Sequence, residues 1–99
     1  MQLVRLVTPE DFEPWVGRMV RLNTAPRPVE ILLARLQRLP PIVGADFREP
    51  FELIFETPWQ VVLADDNYEC DCGHGGPYFI HLSQILPRKQ TRRYQALFA

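Results

Sequence analysis

The residues of this chain best suited to chemistry by type and spacing lie in the string Cys70-Asp-Cys72-Gly-His74. Alternate residues of a strand share a face, so two thiolates could converge with His74, and with His81 beyond it, on a metal ion. Zinc takes such ligands in tetrahedral sets. Structural zinc sites, however, bring their cysteines in two knuckle-like pairs, and this chain offers a single Cys-x-Cys. The competing reading makes Tyr68, Cys70 and Cys72 the inward face of a strand, where cysteine behaves as a small hydrophobe. That reading is preferred, so no metal or cofactor is expected, and Cys70, Cys72 and His74 stand as the metal candidates. A Cys70–Cys72 disulfide is disfavoured, because residues two apart on one strand are aimed poorly for it.

Other constellations are thinner. His74-Gly-Gly-Pro77 has the composition of an esterase oxyanion loop, but that loop serves a serine on a strand-to-helix elbow. The one serine, Ser83, falls mid-strand, so the string reads as a hairpin turn. Cys72 with His74 has the types of a thiolate–imidazole pair but no third group to orient the histidine. Asp65 and Asp66 could join Glu52 or Glu56 in a carboxylate pair, yet adjacent acids at a turn are usually solvated. No phosphate loop, EF-hand or dinucleotide fingerprint occurs. No catalytic residue is expected, and the chain reads as no enzyme.

The elements that carry these residues are short alternating strands. Phe51–Glu56, Asn67–Cys72, Tyr78–Leu86 and Arg93–Phe98 alternate with period 2, as a sheet with one buried face requires. Arg18–Asn23 continues the pattern with Val20 and Leu22 on one face. Val29–Leu39 is ambiguous between strand and helix; Pro28 before it and Pro40-Pro41 after it favour a strand. Ten prolines punctuate these runs. Asp65-Asp66-Asn67 has turn chemistry, with Asn67 suited to positive φ. Near the start, Thr8-Pro9-Glu10-Asp11 reads as a helix opening, and Phe12, Trp15 and Val16 share one face. Pro14 forbids a long helix, so a short one or a pair of turns should end by Gly17. The fold class expected is mainly β: a small antiparallel barrel or sandwich of five or six strands, closed at one end by that helix. The inward set comprises Phe12, Trp15, Val20, Leu22, Ile31, Leu33, Phe51, Leu53, Phe55, Ile80, Leu82, Tyr94, Ala96 and Phe98.

Size and charge limit the function. A chain of 99 residues is expected to form one complete domain, 1–99. Hydrophobic residues make up 46% and charged ones 23%, the balance of a globular protein. No apolar run suits a membrane span and no secretory signal is evident, so a cytoplasmic home without membrane contact is expected. Residues 39–72 carry eight acids against Arg48, whereas residues 73–99 carry Arg88, Lys89, Arg92 and Arg93 with no acid. Acidic and basic strands should therefore neighbour each other. Four charges in a chain of pI near 6.1 fall short of a nucleic-acid footprint.

In order, the chain shows Asp11-Phe12…Val16-Gly17, Val29-Glu-Ile-Leu-Leu, Arg48-Glu-Pro-Phe-Glu-Leu-Ile-Phe-Glu-Thr-Pro58, Asn67-Tyr68, Gly76-Pro-Tyr-Phe-Ile-His-Leu-Ser-Gln-Ile85 and Arg93-Tyr-Gln-Ala-Leu-Phe98. This succession resembles a bacterial family of small β-rich domains of unknown function. Where that family has a Leu-Pro-Gln-Gly-type turn this chain has Ala64-Asp-Asp-Asn67, and Cys72 stands where a histidine is common. The resemblance implies an accessory role beside phage-tail-collar or tail-fibre proteins. The expected function is a structural or protein-interaction module with a protein partner or a homo-oligomer. The alternatives are a small metal-binding domain and a ligand-binding barrel lined by Phe51, Phe55, Tyr78 and Tyr94. The final strand runs Tyr94-Gln-Ala-Leu-Phe-Ala99 with no charge or proline to guard it, so it is the candidate edge for strand addition by a partner.

Overall fold

Period-2 alternation closes into a ring of six antiparallel strands. The computed structural model describes residues 7–41 and 49–98; Arg48 of the third motif and Ala99 lie outside them. The strands are β1 (Met19–Leu22), β2 (Val29–Arg38), β3 (Phe51–Pro58), β4 (Asp66–Asp71), β5 (Tyr78–Arg88) and β6 (Thr91–Phe98). Their order around the closed barrel is β1-β2-β3-β6-β5-β4. Strands β3 to β6 thus form a Greek key, in which the long connection from β3 to β4 crosses one end. Between barrel and sandwich, the chain adopts the barrel.

One end of the ring is capped by the N-terminal segment. Helix α1 (Pro9–Phe12) opens with the Thr8 main-chain N–H donating to the Asp11 carboxylate at 2.8 Å. Pro14 then tightens the chain into a 3-10 turn over Glu13–Trp15. Phe12 and Trp15 become fully buried. Their rings meet edge-on at 5.2 Å, and Phe12 also touches Tyr78 at 5.1 Å and Phe98 at 5.6 Å. The Trp15 indole N–H donates to the His74 carbonyl at 2.7 Å. Arg38, at the end of β2, reaches Glu13 at 2.8 Å, Glu49 at 3.0 Å and Glu10 at 3.4 Å, tying the cap to the barrel.

The opposite end, the floor, is closed by the β3–β4 connection. Leu63 sits in it as a plug, 7% exposed, with its N–H donating to the Tyr94 hydroxyl at 2.9 Å. The Thr57 hydroxyl donates to the Val61 carbonyl at 3.2 Å, and the Tyr68 hydroxyl to the Ala64 carbonyl at 2.6 Å. Between the two ends, every residue of the expected inward set is buried except Phe98. That ring is half-buried and stacks on Phe51 at 4.6 Å. Cys70 joins the core as the inward reading of its strand expects.

The ambiguity of residues 29–39 has a structural cause. Leu33 pairs with Phe55 and Leu36 with Leu53, so three residues of β2 span two of β3. This bulge at Ala34–Arg35 keeps both leucines inward. It also spaces the apolar residues of a strand as a helix would. A second irregularity in β5 lies between Ile85 and Arg88 and accommodates Pro87, one of the few places a strand tolerates proline.

Three expectations need correction. The final strand is no edge: β6 lies between β3 and β5, and it lacks guarding charges because both flanks are paired. A proline at Gln95 would therefore break a central ladder. Asn67 is no turn residue but lies within β4; the positive φ falls instead on Lys89, at 56°. The last hairpin turn is correspondingly tighter than Pro87–Thr91, with Arg88 already paired to Thr91. The charge segregation does resolve across strands, with Glu56 opposite Arg93 and Asp71 opposite Arg21. Among the described residues no helix is long and apolar enough to cross a membrane.

Candidate functional site

The strand and the turn after it carry the cysteines and histidines to different parts of the barrel. Cys70 points into the barrel, and burial pushes its thiol up to about 12. Cys72 is half-buried with its sulfur 3.7 Å from the Met19 carbonyl, and burial raises its thiol too. Both thiols stay protonated at neutral pH, so neither is poised as a nucleophile. After Cys72 the chain turns at Gly73, whose N–H bonds the Asp71 carboxylate at 2.9 Å. His74 is then carried over the cap, where its main-chain carbonyl serves Trp15. His81 lies on the outer face of β5, its Nδ1 3.0 Å from the Asn67 side-chain oxygen. Among the described residues no three His, Cys, Asp or Glu side chains are grouped to hold a metal.

The other nominated residues are likewise engaged. The Asp65 carboxylate accepts the Gln84 N–H at 2.9 Å, and Asp66 accepts the Asn67 N–H at 2.7 Å. Glu52 bonds the Gln95 amide, and Glu56 faces Arg93. Phe51, Phe55 and Tyr94 are fully buried, and Tyr78 packs on Trp15 at 5.7 Å. The residues proposed to line a ligand cavity are therefore core, because a ring of six strands is narrow enough for its own side chains to fill.

The outer surface offers more. The seam between β1 and β4 is short, with two paired positions, Arg21–Asp71 and Leu22–Cys70. Asn23 extends it by one bond, its N–H donating to the Glu69 carbonyl at 3.0 Å. The chain then leaves for β2 through a turn in which the Thr24 hydroxyl donates to the Arg27 carbonyl at 2.7 Å. The seam opens there into a groove of about 630 Å³. Pro26, Val29, Val62, Ala64, Tyr68 and Phe79 are among the residues that line it. Phe79 is 77% exposed and Val62 62%. Phe79 lies opposite Glu69 in the ladder, and Glu69 is itself bonded to the Asn23 amide.

Phe79 had a signal in the sequence. Once Ile80 and Leu82 are placed inward, alternation puts Phe79 outward, and a large aromatic at an outward position asks for a reason. Val62 had none, because its segment has no period.

Residues 7–98 match a family model described as a domain of unknown function, DUF6916. The chain belongs to this family. No curated protein and no solved structure matches it. The matched span takes in α1 and all six strands, so the cap, the floor and the seam groove all lie within the family domain.

Proposed function

We propose that this member of the family is a non-enzymatic protein-interaction module that docks a partner in the groove at the β1–β4 seam. The observation that carries the reading is Phe79, an aromatic ring 77% exposed on a strand whose inward residues Ile80 and Leu82 are buried. Leaving such a ring in water forgoes burial worth about 2 kcal/mol. A partner that covers it recovers that gain, and exposed aromatic residues are the usual anchors of protein interfaces. A packed interior and protonated thiols support a role for the outer surface rather than for chemistry inside the barrel. In this reading the partner is a component of a larger phage-tail-like or fibre assembly, the setting the family resemblance implies.

The test is photo-crosslinking in the native host, with a crosslinking amino acid placed beside the groove at Asn67. A defined protein adduct should form with the parent and be lost in the Phe79→Asp variant at unchanged thermal midpoint. An adduct that survives Phe79→Asp, or no adduct at all, would remove the groove from consideration.

A further inference from the structure

Diametrically across the ring from the seam, β3 and β6 end together on the floor. Pro58 pairs with Thr91 on the last rung, so the turn at Trp59-Gln60 and the turn at Lys89-Gln90 lie side by side. With Pro58 they line an open groove of about 560 Å³. Three features set this groove apart among the described residues.

Its aromatic wall is fixed in place. Trp59 is 46% exposed, yet the Arg92 guanidinium lies 4.0 Å from its ring centroid and the Arg92 Nε donates to the Trp59 carbonyl at 2.7 Å. A cation stacked on an indole from one side orients it. Its charge has one sign. No acid lines the groove, and Arg88 and Lys89 make no ion pair among the described residues. Lastly, its lysine occupies a position where local preference points elsewhere. Lys89 is the one non-glycine residue with positive φ among the described residues. Two-residue hairpin turns with positive φ at the first position favour Gly, Asn or Asp. Departures from local preference of this kind gather at functional sites.

We infer that this groove binds an acidic saccharide. The indole face turned away from Arg92 is the flat apolar surface on which the C–H face of a sugar ring would stack. The Gln60 and Gln90 amides each donate and accept, as ring hydroxyls require. The Lys89 ammonium meets the carboxylate, with Arg88 adding to the positive field. A single-stranded nucleic acid is a poorer fit, since such binders align several aromatic side chains along a basic track, and here one tryptophan stands alone.

Titration calorimetry with three probes tests the inference: trigalacturonate, its fully methyl-esterified form, and adenosine monophosphate. The parent should bind trigalacturonate, with the ester and the nucleotide weaker by about tenfold or more. Trp59→Ala should abolish the heat. The deciding variant is Lys89→Gly, which should weaken trigalacturonate binding about tenfold while its thermal midpoint stays level or rises, because glycine adopts positive φ freely. Equal binding of acid and ester overturns the inference, as does tighter binding of the nucleotide. So does the absence of heat from the parent at about 10 mM probe, or a Lys89→Gly protein that binds like the parent.

Discussion

The two ends of the barrel are closed by opposite means. At the cap, the rings of Phe12, Trp15, Phe51, Tyr78 and Phe98 pack against one another, edge-on, tilted or stacked. The helix and the 3-10 turn that deliver Phe12 and Trp15 are tied down by Arg38 through Glu10 and Glu13. At the floor a connecting segment is held by one plug, Leu63, whose N–H donates to the Tyr94 hydroxyl, and by hydrogen bonds from the Thr57 and Tyr68 hydroxyls. Aromatic packing holds the first end and directional bonds the second. Both grooves open beside the floor, at the β1–β4 seam and at the foot of β3 and β6. The thin strap at the floor leaves Trp59 and Val62 exposed at its rim.

If that contrast holds, truncation should cost more at the cap. Trp15→Ala is expected to lose about 3–5 kcal/mol and Leu63→Ala about 2 kcal/mol, read from urea midpoints at unchanged slope. A larger loss at Leu63 would reverse the ranking. Next in size, Tyr94→Phe keeps the ring and removes the acceptor of the Leu63 N–H. The unpaired buried amide should cost about 1–3 kcal/mol, and amide exchange should quicken at Leu63 before it quickens at Trp15.

The Arg38 cluster is solvent-exposed and should contribute less than either. The Glu10 carboxyl is held below the usual carboxylate range, first by a hydrogen bond from its own main chain and then by the Thr8 hydroxyl and the Arg38 guanidinium. A depressed folded value stabilises above the unfolded one and is lost as pH falls through the folded one. Arg38→Ala should therefore lower the thermal midpoint at neutral pH, with the difference shrinking as pH falls through the depressed Glu10 value or as salt is raised. A difference that persists in acid would mean Arg38 acts by packing its stem. The smallest effect belongs to the rim. Phe79→Ser should leave stability within about 0.5 kcal/mol of the parent, and a larger loss would make Phe79 part of the fold rather than of its surface.

Much of this architecture is legible in the chain because half-buried strands leave a period, and Phe51, Leu53 and Phe55 or Ile80 and Leu82 declare their faces directly. Closure is not. Whether β6 is central depends on which strand lies beyond it, and nothing local to Tyr94–Phe98 carries that information. The β2 bulge erased the period where it occurred, giving Leu33 and Leu36 a helical spacing. The grooves were least visible. The seam groove joins Pro26, Val62 and Phe79 from three separate segments, and the floor groove sets Trp59 beside Arg92 across the Greek-key crossing. The Cys70–His74 string, by contrast, drew attention by composition alone, and the strand and turn send its members to different places.

Because Phe12 touches Phe98, the chain enters and leaves the barrel on the cap side. The domain can be tethered, fused or circularly joined there without obstructing the floor. A linker joining residue 98 back to residue 7, with new termini opened between Pro26 and Arg27, would give a permutant that keeps the cap and the β3–β6 foot. Held by its cap on a surface or a larger scaffold, the barrel would point its floor rim, and with it the Trp59 groove, away from the support.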